Sequence, residues 1–287
     1  KTGGWRDSEL IILAARPGMG KTALAIKYGM HASRLGYPTA FFSLEMSKEQ
    51  LTNRIISSEA RIPSDKFTNT GLTEEEAFRA HEAIKPIRDM QFIIDDTAAL
   101  TIEDFQIRAK RMKSRYGIKL IIVDYLQLMS GSKGKGANRE QEISKISRGL
   151  KLIAKELNIP VIALSQLSRN VESQGGHKRP MLSHLRESGA IEQDADVVQF
   201  LYRPEYYEIE QWDDYKGEST AGQAEYIVAK NRNGGLVRNR MAFEGQFTLF
   251  SDLEEPEIPH IPMPKSQDDF QPMHNDSFYP EDDEEPF

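Results

Sequence analysis

Residues 10–22 constrain this chain more than any other stretch. A five-residue apolar run, Leu10 to Ala14, passes straight into Ala15-Arg16-Pro17-Gly18-Met19-Gly20-Lys21-Thr22, and a helix-forming segment follows from Ala23 to Leu35. An unbroken apolar run ending at a Gly-rich turn reads as a strand buried on both faces, which requires parallel neighbours and crossover helices around it. Candidates for those neighbours are Leu120 to Val123, Val161 to Leu164, Val197 to Leu201 and Thr39 to Ser43. Between them lie helical patterns. Thr101 with Asp104 opens one in which Ile102, Phe105, Ala109, Met112 and Tyr116 recur at steps of three and four, and Ile143, Ile146, Leu150, Ile153 and Leu157 repeat the spacing. This alternation predicts an open α/β fold with a mostly parallel central sheet, flanking helices, and ligands at the carboxyl ends of the strands. After residue 220, Gly-rich turns separate Ala224 to Lys230, Arg238 to Phe243 and Phe247 to Phe250, which predicts antiparallel strands closing the C-terminal edge.

Residues 15–22 fit the Walker A pattern of P-loop NTPases, with Ala15 in place of its first glycine. Gly18 and Gly20 let successive backbone N–H groups turn onto phosphate oxygens, and the helix that follows adds the positive end of its dipole. Lys21 is spaced to bridge β- and γ-phosphates and Thr22 to hold Mg²⁺, so ATP and Mg²⁺ are the expected nucleotide and cation. The metal needs a carboxylate, and Asp124, closing Leu120-Ile-Ile-Val-Asp124, matches Walker B. Tyr125 follows it, where many related ATPases keep a glutamate base, so the base must come from elsewhere. Glu45 is the best candidate, at the carboxyl end of Thr39 to Ser43, where it would orient and deprotonate the attacking water. Its bland alternative is a residue preceding a helix capped by Ser47 with Gln50 three residues on. Gln166 either hydrogen-bonds the γ-phosphate and senses its loss, or opens a loop.

Charge is unevenly spread. The 287 residues carry 44 acids and 37 bases, a net −7, but residues 251–287 hold 12 of the acids and one base, Lys265, leaving residues 1–250 with 36 bases and 32 acids. The mildly basic body is open to a polyanionic partner. Residues 251–287 also hold seven of the 14 prolines, and their few apolar side chains cannot offset the entropy of ordering, so an acidic Pro-rich disordered tail is expected there. The other 250 residues suffice for one large core or two small ones. No apolar run approaches the ~20 residues of a membrane span, so no membrane partner is expected. No secretory signal is present, and the chain starts at Lys1 without Met, which reads as a fragment. Cysteine is absent, which removes disulfides and thiolate metal sites, and six scattered histidines give little support to imidazole ligation.

Six motifs together resemble the DnaB-type replicative helicases, in the order of that family: Ala15 to Thr22, Ser43-Leu-Glu-Met-Ser47, Ile122-Val-Asp-Tyr-Leu-Gln-Leu128, Ala163-Leu-Ser-Gln-Leu-Ser-Arg169, Leu185-Arg-Glu-Ser-Gly-Ala-Ile-Glu-Gln-Asp-Ala-Asp196 and Lys230-Asn-Arg-Asn-Gly234. The resemblance covers about residues 1–250 and looks like the C-terminal, RecA-like motor domain of that family, without its N-terminal domain and linker helix. It implies self-association into a homohexameric ring with ATP between neighbours, 5′ to 3′ travel on single-stranded DNA, and a bacterial cytoplasmic setting at the replication fork. It implies that Arg232 is an arginine finger and Lys230 its neighbour, both acting on the next subunit's nucleotide; by spacing alone they are solvated bases in a hairpin turn. It implies that Arg186, Glu187 and Gly189 hold the single-strand backbone, which without the family reads as a helix N-terminus with a local Arg–Glu pair. Loops 130–138, with Lys133 and Lys135, and 169–178 are further candidates to face DNA. Primase and a helicase loader are implied partners, mainly through the absent N-terminal domain.

Two other readings compete with a helicase motor: a RecA-like recombination or repair ATPase, against which Ser43 to Ser47 and Arg186 to Gly189 weigh, and a nucleotide-dependent scaffold. Beyond the motor, Glu281-Asp-Asp-Glu-Glu-Pro286-Phe287 resembles the acidic tip ending in Pro-Phe of bacterial single-stranded-DNA-binding proteins. Partner recruitment through Pro286 and Phe287 stands there beside the commoner role of a solubilising tail.

Overall fold

The computed structural model describes residues 2–129, 139–173, 175–213 and 217–253; the side chains of residues 139 and 186–188 also fall outside the description. Loop 130–138 and the acidic stretch from residue 254 onward therefore lie outside the described residues. The described chain forms a nine-stranded sheet in the order β3-β2-β4-β5-β1-β6-β7-β8-β9. Its strands are β1 (Leu10–Ala15), β2 (Thr39–Ser43), β3 (Phe92–Asp95), β4 (Leu120–Asp124), β5 (Val161–Gln166), β6 (Val197–Tyr202), β7 (Gln223–Asn231), β8 (Val237–Glu244) and β9 (Leu249–Ser251). Strands β3 to β6 in that spatial order pair in parallel, and β7, β8 and β9 continue antiparallel from β6, as the sequence pattern predicts.

Helices α1 (Lys21–Arg34), α2 (Lys48–Ala60), α3 (Glu74–Arg88), α4 (Ile102–Tyr116), α5 (Arg139–Leu157), α6 (Asn170–Ser173) and α7 (Gly189–Asp194) surround the sheet. Successive residues of β1 serve opposite layers, the period of two that a strand imposes. Leu10, Ile12 and Ala14 pack with Phe105 of α4 and Ile146 and Leu150 of α5. Ile11, Leu13 and Ala15 pack with Leu24, Ile26 and Met30 of α1. All six β1 residues are fully buried, which accounts for the unbroken apolar run. Each of these larger side chains contributes about 1.5–3 kcal/mol on burial. The α5 stripe behaves as its spacing predicts: Ile143, Ile146, Leu150 and Ile153 are buried.

Three features escape the periodicity. Strand β3 is four residues long and only half-buried at the sheet edge, too short a signal to stand out. Helix α3 starts at a capping box between Thr73 and Glu76, but few of its residues are buried, so it carries no strong apolar stripe. Strand β5 runs through Gln166, which sits opposite Ala15 in the register. Gln166 is therefore the last residue of a strand and does not open a loop. Among the described residues, no helix is long and apolar enough to cross a membrane.

Candidate functional site

The carboxyl ends of β1, β2, β4, β5 and β6 converge on a cleft of about 460 Å³. Its floor is the loop between β1 and α1. Gly18 and Gly20 adopt φ of 79° and 93°, the left-handed region that other residues enter at a cost. A Cβ on Gly20 would also lie 2.9 Å from the Phe250 ring. Gly20 caps α1 without a side-chain bond to the helix N–H groups, and the first turn carries no acidic residue. The positive end of this 14-residue helix is thus left for an anion.

Lys21 and Thr22 open α1 and face Asp124 across the sheet. The Thr22 hydroxyl donates to Asp124 Oδ2 at 2.6 Å, and Lys21 Nζ lies 3.4 Å from Asp124 Oδ1 and 4.7 Å from the Tyr125 ring centroid. Asp124 is fully buried at the end of β4. Burial pushes the Lys21 ammonium below its ordinary pKa, while Asp124 and then Glu45 pull it back up. A buried carboxylate sharing a hydroxyl and an ammonium is a donor set that fits a divalent cation and a phosphate chain.

Glu45 reaches the cleft because β2 and β4 are in register. Ser43 pairs with Asp124, and the Leu44 N–H donates to the Asp124 carbonyl at 2.7 Å. The Ser43 hydroxyl then donates to the Met46 carbonyl at 2.7 Å, closing a turn with Glu45 exposed on the cleft lip. The capping box of Ser47 and Gln50 is present as well, so Glu45 on the cleft lip also precedes a capped helix. Gln166 lines the same lip, and Gln127 holds its backbone. The Gln127 amide donates to Ser165 Oγ at 2.9 Å and to the Gln166 carbonyl at 3.2 Å, and it accepts the Gln166 N–H at 3.3 Å. The Arg16 guanidinium is engaged by Glu172 at 2.6 Å and by the Leu167 carbonyl at 2.8 Å, tying the chain after β5 to the loop.

Sequence reasoning missed Arg54, Tyr125, Arg203, Phe243, Gly245 and Thr248, which also line the cleft. Arg203 follows β6 as Gln166 ends β5, so its place after a parallel strand was the available signal. Its Nη1 donates to the Gly18 carbonyl at 3.2 Å, its guanidinium stacks 4.0 Å from the Phe243 ring centroid, and burial lowers its pKa. Arg54, on α2, and the connection between β8 and β9 carry no local signal; tertiary packing alone brings them here.

Lys230 and Arg232 lie elsewhere. Arg232 follows the end of β7, where Asn231 pairs with Val197, the first residue of β6. That is the amino end of the parallel strands, opposite the cleft. Lys230 Nζ donates to the Glu192 carbonyl at 2.5 Å, and burial and then Arg232 lower its pKa. Arg232 Nη2 donates to the Gln193 carbonyl at 2.7 Å. Gly189 is exposed as the first residue of α7, and the side chains of Arg186 and Glu187 lie outside the described residues. The stretch expected as loop 169–178 contains helix α6 at Asn170–Ser173, and Gln174 is outside the described residues too.

The arrangement has counterparts among known proteins. The family model for the DnaB-like helicase C-terminal domain matches residues 1–252. "Replicative DNA helicase DnaB" of Rickettsia felis is 46% identical over 274 residues, covering 88% of this chain and 55% of that protein. The protein of that name from Geobacillus stearothermophilus is 43% identical over 254 residues, with 88% and 54% covered. The chain spans about half the length of these curated relatives. Among solved structures, one described as an "ATPase Domain" aligns with a TM-score of 0.79 at 36% identity, covering 88% of this chain and 87% of that one. Another, "The Structure Of A DnaB-Like Replicative Helicase And Its Interactions With Primase", gives the same score and identity over 59% of its own chain. With a P-loop cleft at one end of a RecA-like sheet, and a family match over residues 1–252, the chain belongs to the DnaB-like helicase C-terminal domain family.

Proposed function

We propose that this chain is the motor of a replicative DNA helicase. Six copies form a ring, ATP is hydrolysed with Mg²⁺ between neighbours, and the ring moves 5′ to 3′ along single-stranded DNA, separating a duplex. One observation carries the reading: Lys21, Arg54 and Arg203 line the cleft, whereas Lys230 and Arg232 stand at the other end of the parallel strands. Strand β1 alone spans five residue steps between those ends, about 16 Å. Neither base reaches its own chain's cleft, which supports a role for both at the cleft of a second copy.

In that split site, the loop N–H groups and Lys21 hold the β- and γ-phosphates. The Thr22 hydroxyl and Asp124 would hold Mg²⁺, which would neutralise charge on the phosphate oxygens. Glu45 accepts a proton from the attacking water, and Gln166 donates to the γ-phosphate and registers its loss. The neighbouring copy's Arg232 and Lys230 meet the charge that grows on the γ-phosphoryl oxygens. Arg186, Glu187 and Gly189 follow the DNA backbone, a sequence-independent contact that weakens with salt. Primase and a helicase loader are partners of the complete assembly in this reading, and the motor takes in Ser251, the last residue of β9.

The test is turnover per chain against dilution, with and without single-stranded oligonucleotide. The split site requires turnover to fall as rings dissociate and to rise with DNA. Isolated monomers hydrolysing ATP at full rate, indifferent to DNA, refute it. Strand separation on a forked duplex then distinguishes a helicase from a recombination ATPase.

A further inference from the structure

Asp196 is a junction, and one of the groups it holds is the guanidinium of Arg232. Its side chain is only 7% exposed. Oδ2 accepts from the Leu10 N–H at 2.8 Å and from Lys151 Nζ at 2.5 Å, and Oδ1 accepts from Arg232 Nη1 at 3.3 Å. The Asp196 carbonyl accepts the Arg232 N–H at 2.9 Å, so the aspartate grips this arginine by backbone and side chain at once. Register explains the pairing: Val197 lies opposite Asn231, which leaves Asp196 and Arg232 facing each other one step beyond the last rung.

Arg232 remains half-exposed, at 49%. Its bonds to Asp196 and to the Gln193 carbonyl use one N–H of each terminal nitrogen, and a guanidinium has five, so donors remain for an oxyanion arriving from outside. A long side chain left in solvent would lose rotamer freedom on reaching a phosphate, and one already oriented loses less. The same carboxylate caps the first residue of β1, the strand that runs into this chain's own phosphate loop.

We propose that Asp196 is the positioning residue for Arg232. It sets the direction of the finger before the neighbouring copy docks, and its bond to the Leu10 N–H fixes the carboxylate to the strand that runs into its own phosphate loop. Asp196 touches no substrate; it acts through Arg232. The proposal rests on the split-site reading above and adds to it the residue that aims the finger.

The test is made in the assembled ring. Asp196→Asn is expected to leave the affinity for a fluorescent ATP analogue unchanged and to lower DNA-stimulated turnover about ten- to a hundredfold, the scale of a finger misplaced by about 1 Å. Lys151→Gln strips the carboxylate of its other cation and leaves Arg232 in place, so it retains most of the turnover. An equal loss in both variants, or a fall in nucleotide affinity, makes Asp196 merely structural and overturns the proposal. Rings mixed from Asp196→Asn and Lys21→Ala chains bring intact fingers to intact clefts at some junctions. They are expected to exceed the mean turnover of the two homogeneous rings, and no gain overturns the proposal. Rings mixed from Arg232→Ala and Lys21→Ala chains show which idea has failed. A gain there without one for Asp196→Asn removes only the positioning role, and no gain in either removes the split site. Should Asp196→Asn fail to assemble, Asp196→Glu keeps the charge and shifts the carboxylate by one methylene; full turnover in it overturns the proposal.

Discussion

The Thr22 hydroxyl donates a 2.6 Å hydrogen bond to Asp124, although 102 residues separate the two in the chain. That contact joins the start of α1 to the end of β4 and leaves a buried carboxylate beside the phosphate loop. Asp124→Asn keeps the shape and removes the charge. The expected result is a loss of Mg²⁺-dependent turnover of about a hundredfold or more, with Lys21 left beside a neutral amide. A Mg²⁺ titration of turnover checks it, and a wild-type metal response would remove Asp124 from the cation site.

Arg232 lies at the far end of the sheet from its own cleft. Arg232→Ala is therefore expected to bind an ATP analogue with near wild-type affinity while losing about a thousandfold or more in DNA-stimulated turnover, the scale of an arginine finger. Equilibrium binding and steady-state turnover on one preparation are the paired measurements. Full turnover would exclude the finger role.

Gln127 holds both backbone groups of Gln166 through its side-chain amide. Gln127→Ala is expected to lower kcat roughly tenfold with little change in KM, because Gln166 loses its direction while the phosphate loop keeps its own contacts. A rise in KM alone would place Gln127 in nucleotide binding instead.

Gly149 sits where α5 crosses the start of α4. A Cβ there would lie 2.4 Å from Ile102 Cγ1 and 3.0 Å from Cδ1, and Ile102 is itself buried. Gly149→Ala should destabilise the fold by about 1–3 kcal/mol through overpacking, even though alanine is the better helix former. Urea unfolding measures it. An unchanged midpoint would show that Ile102 yields freely.

Glu76 accepts from Lys66 Nζ at 2.5 Å and from the Thr73 N–H at 3.0 Å, and these bonds hold its carboxyl down at about 2 against an ordinary 4.5. Because the folded-state pKa is the lower one, its stabilisation is complete above pH 4.5 and disappears as the pH falls towards 2. Glu76→Gln should flatten that part of the stability profile. Identical acid-unfolding curves for the two proteins would contradict the assignment.

The conformation of the loop between β1 and α1 was legible in the chain because its signals are local: glycines free to take positive φ, a lysine and a threonine within eight residues, a strand before and a helix after. The sheet was legible for a related reason, since strands buried on both faces must be apolar throughout, and the stripes of α5 and of α4 as far as Ala109 follow from one buried face each, while Tyr116 at the end of α4 is exposed. Strand β3 and helix α3 stayed hidden because β3 lies at the sheet edge and α3 packs on α2, and neither buries enough side chains to force a pattern. Arg54 and Phe243 joined the cleft only in three dimensions, because a side chain's distance from the cleft depends on how strands are ordered and leaves no mark in its neighbours along the chain, whereas Arg203 follows a parallel strand directly. The pairing of Asp196 with Arg232 belongs to the same kind: register between β6 and β7 decides it, and register is a property of the folded sheet.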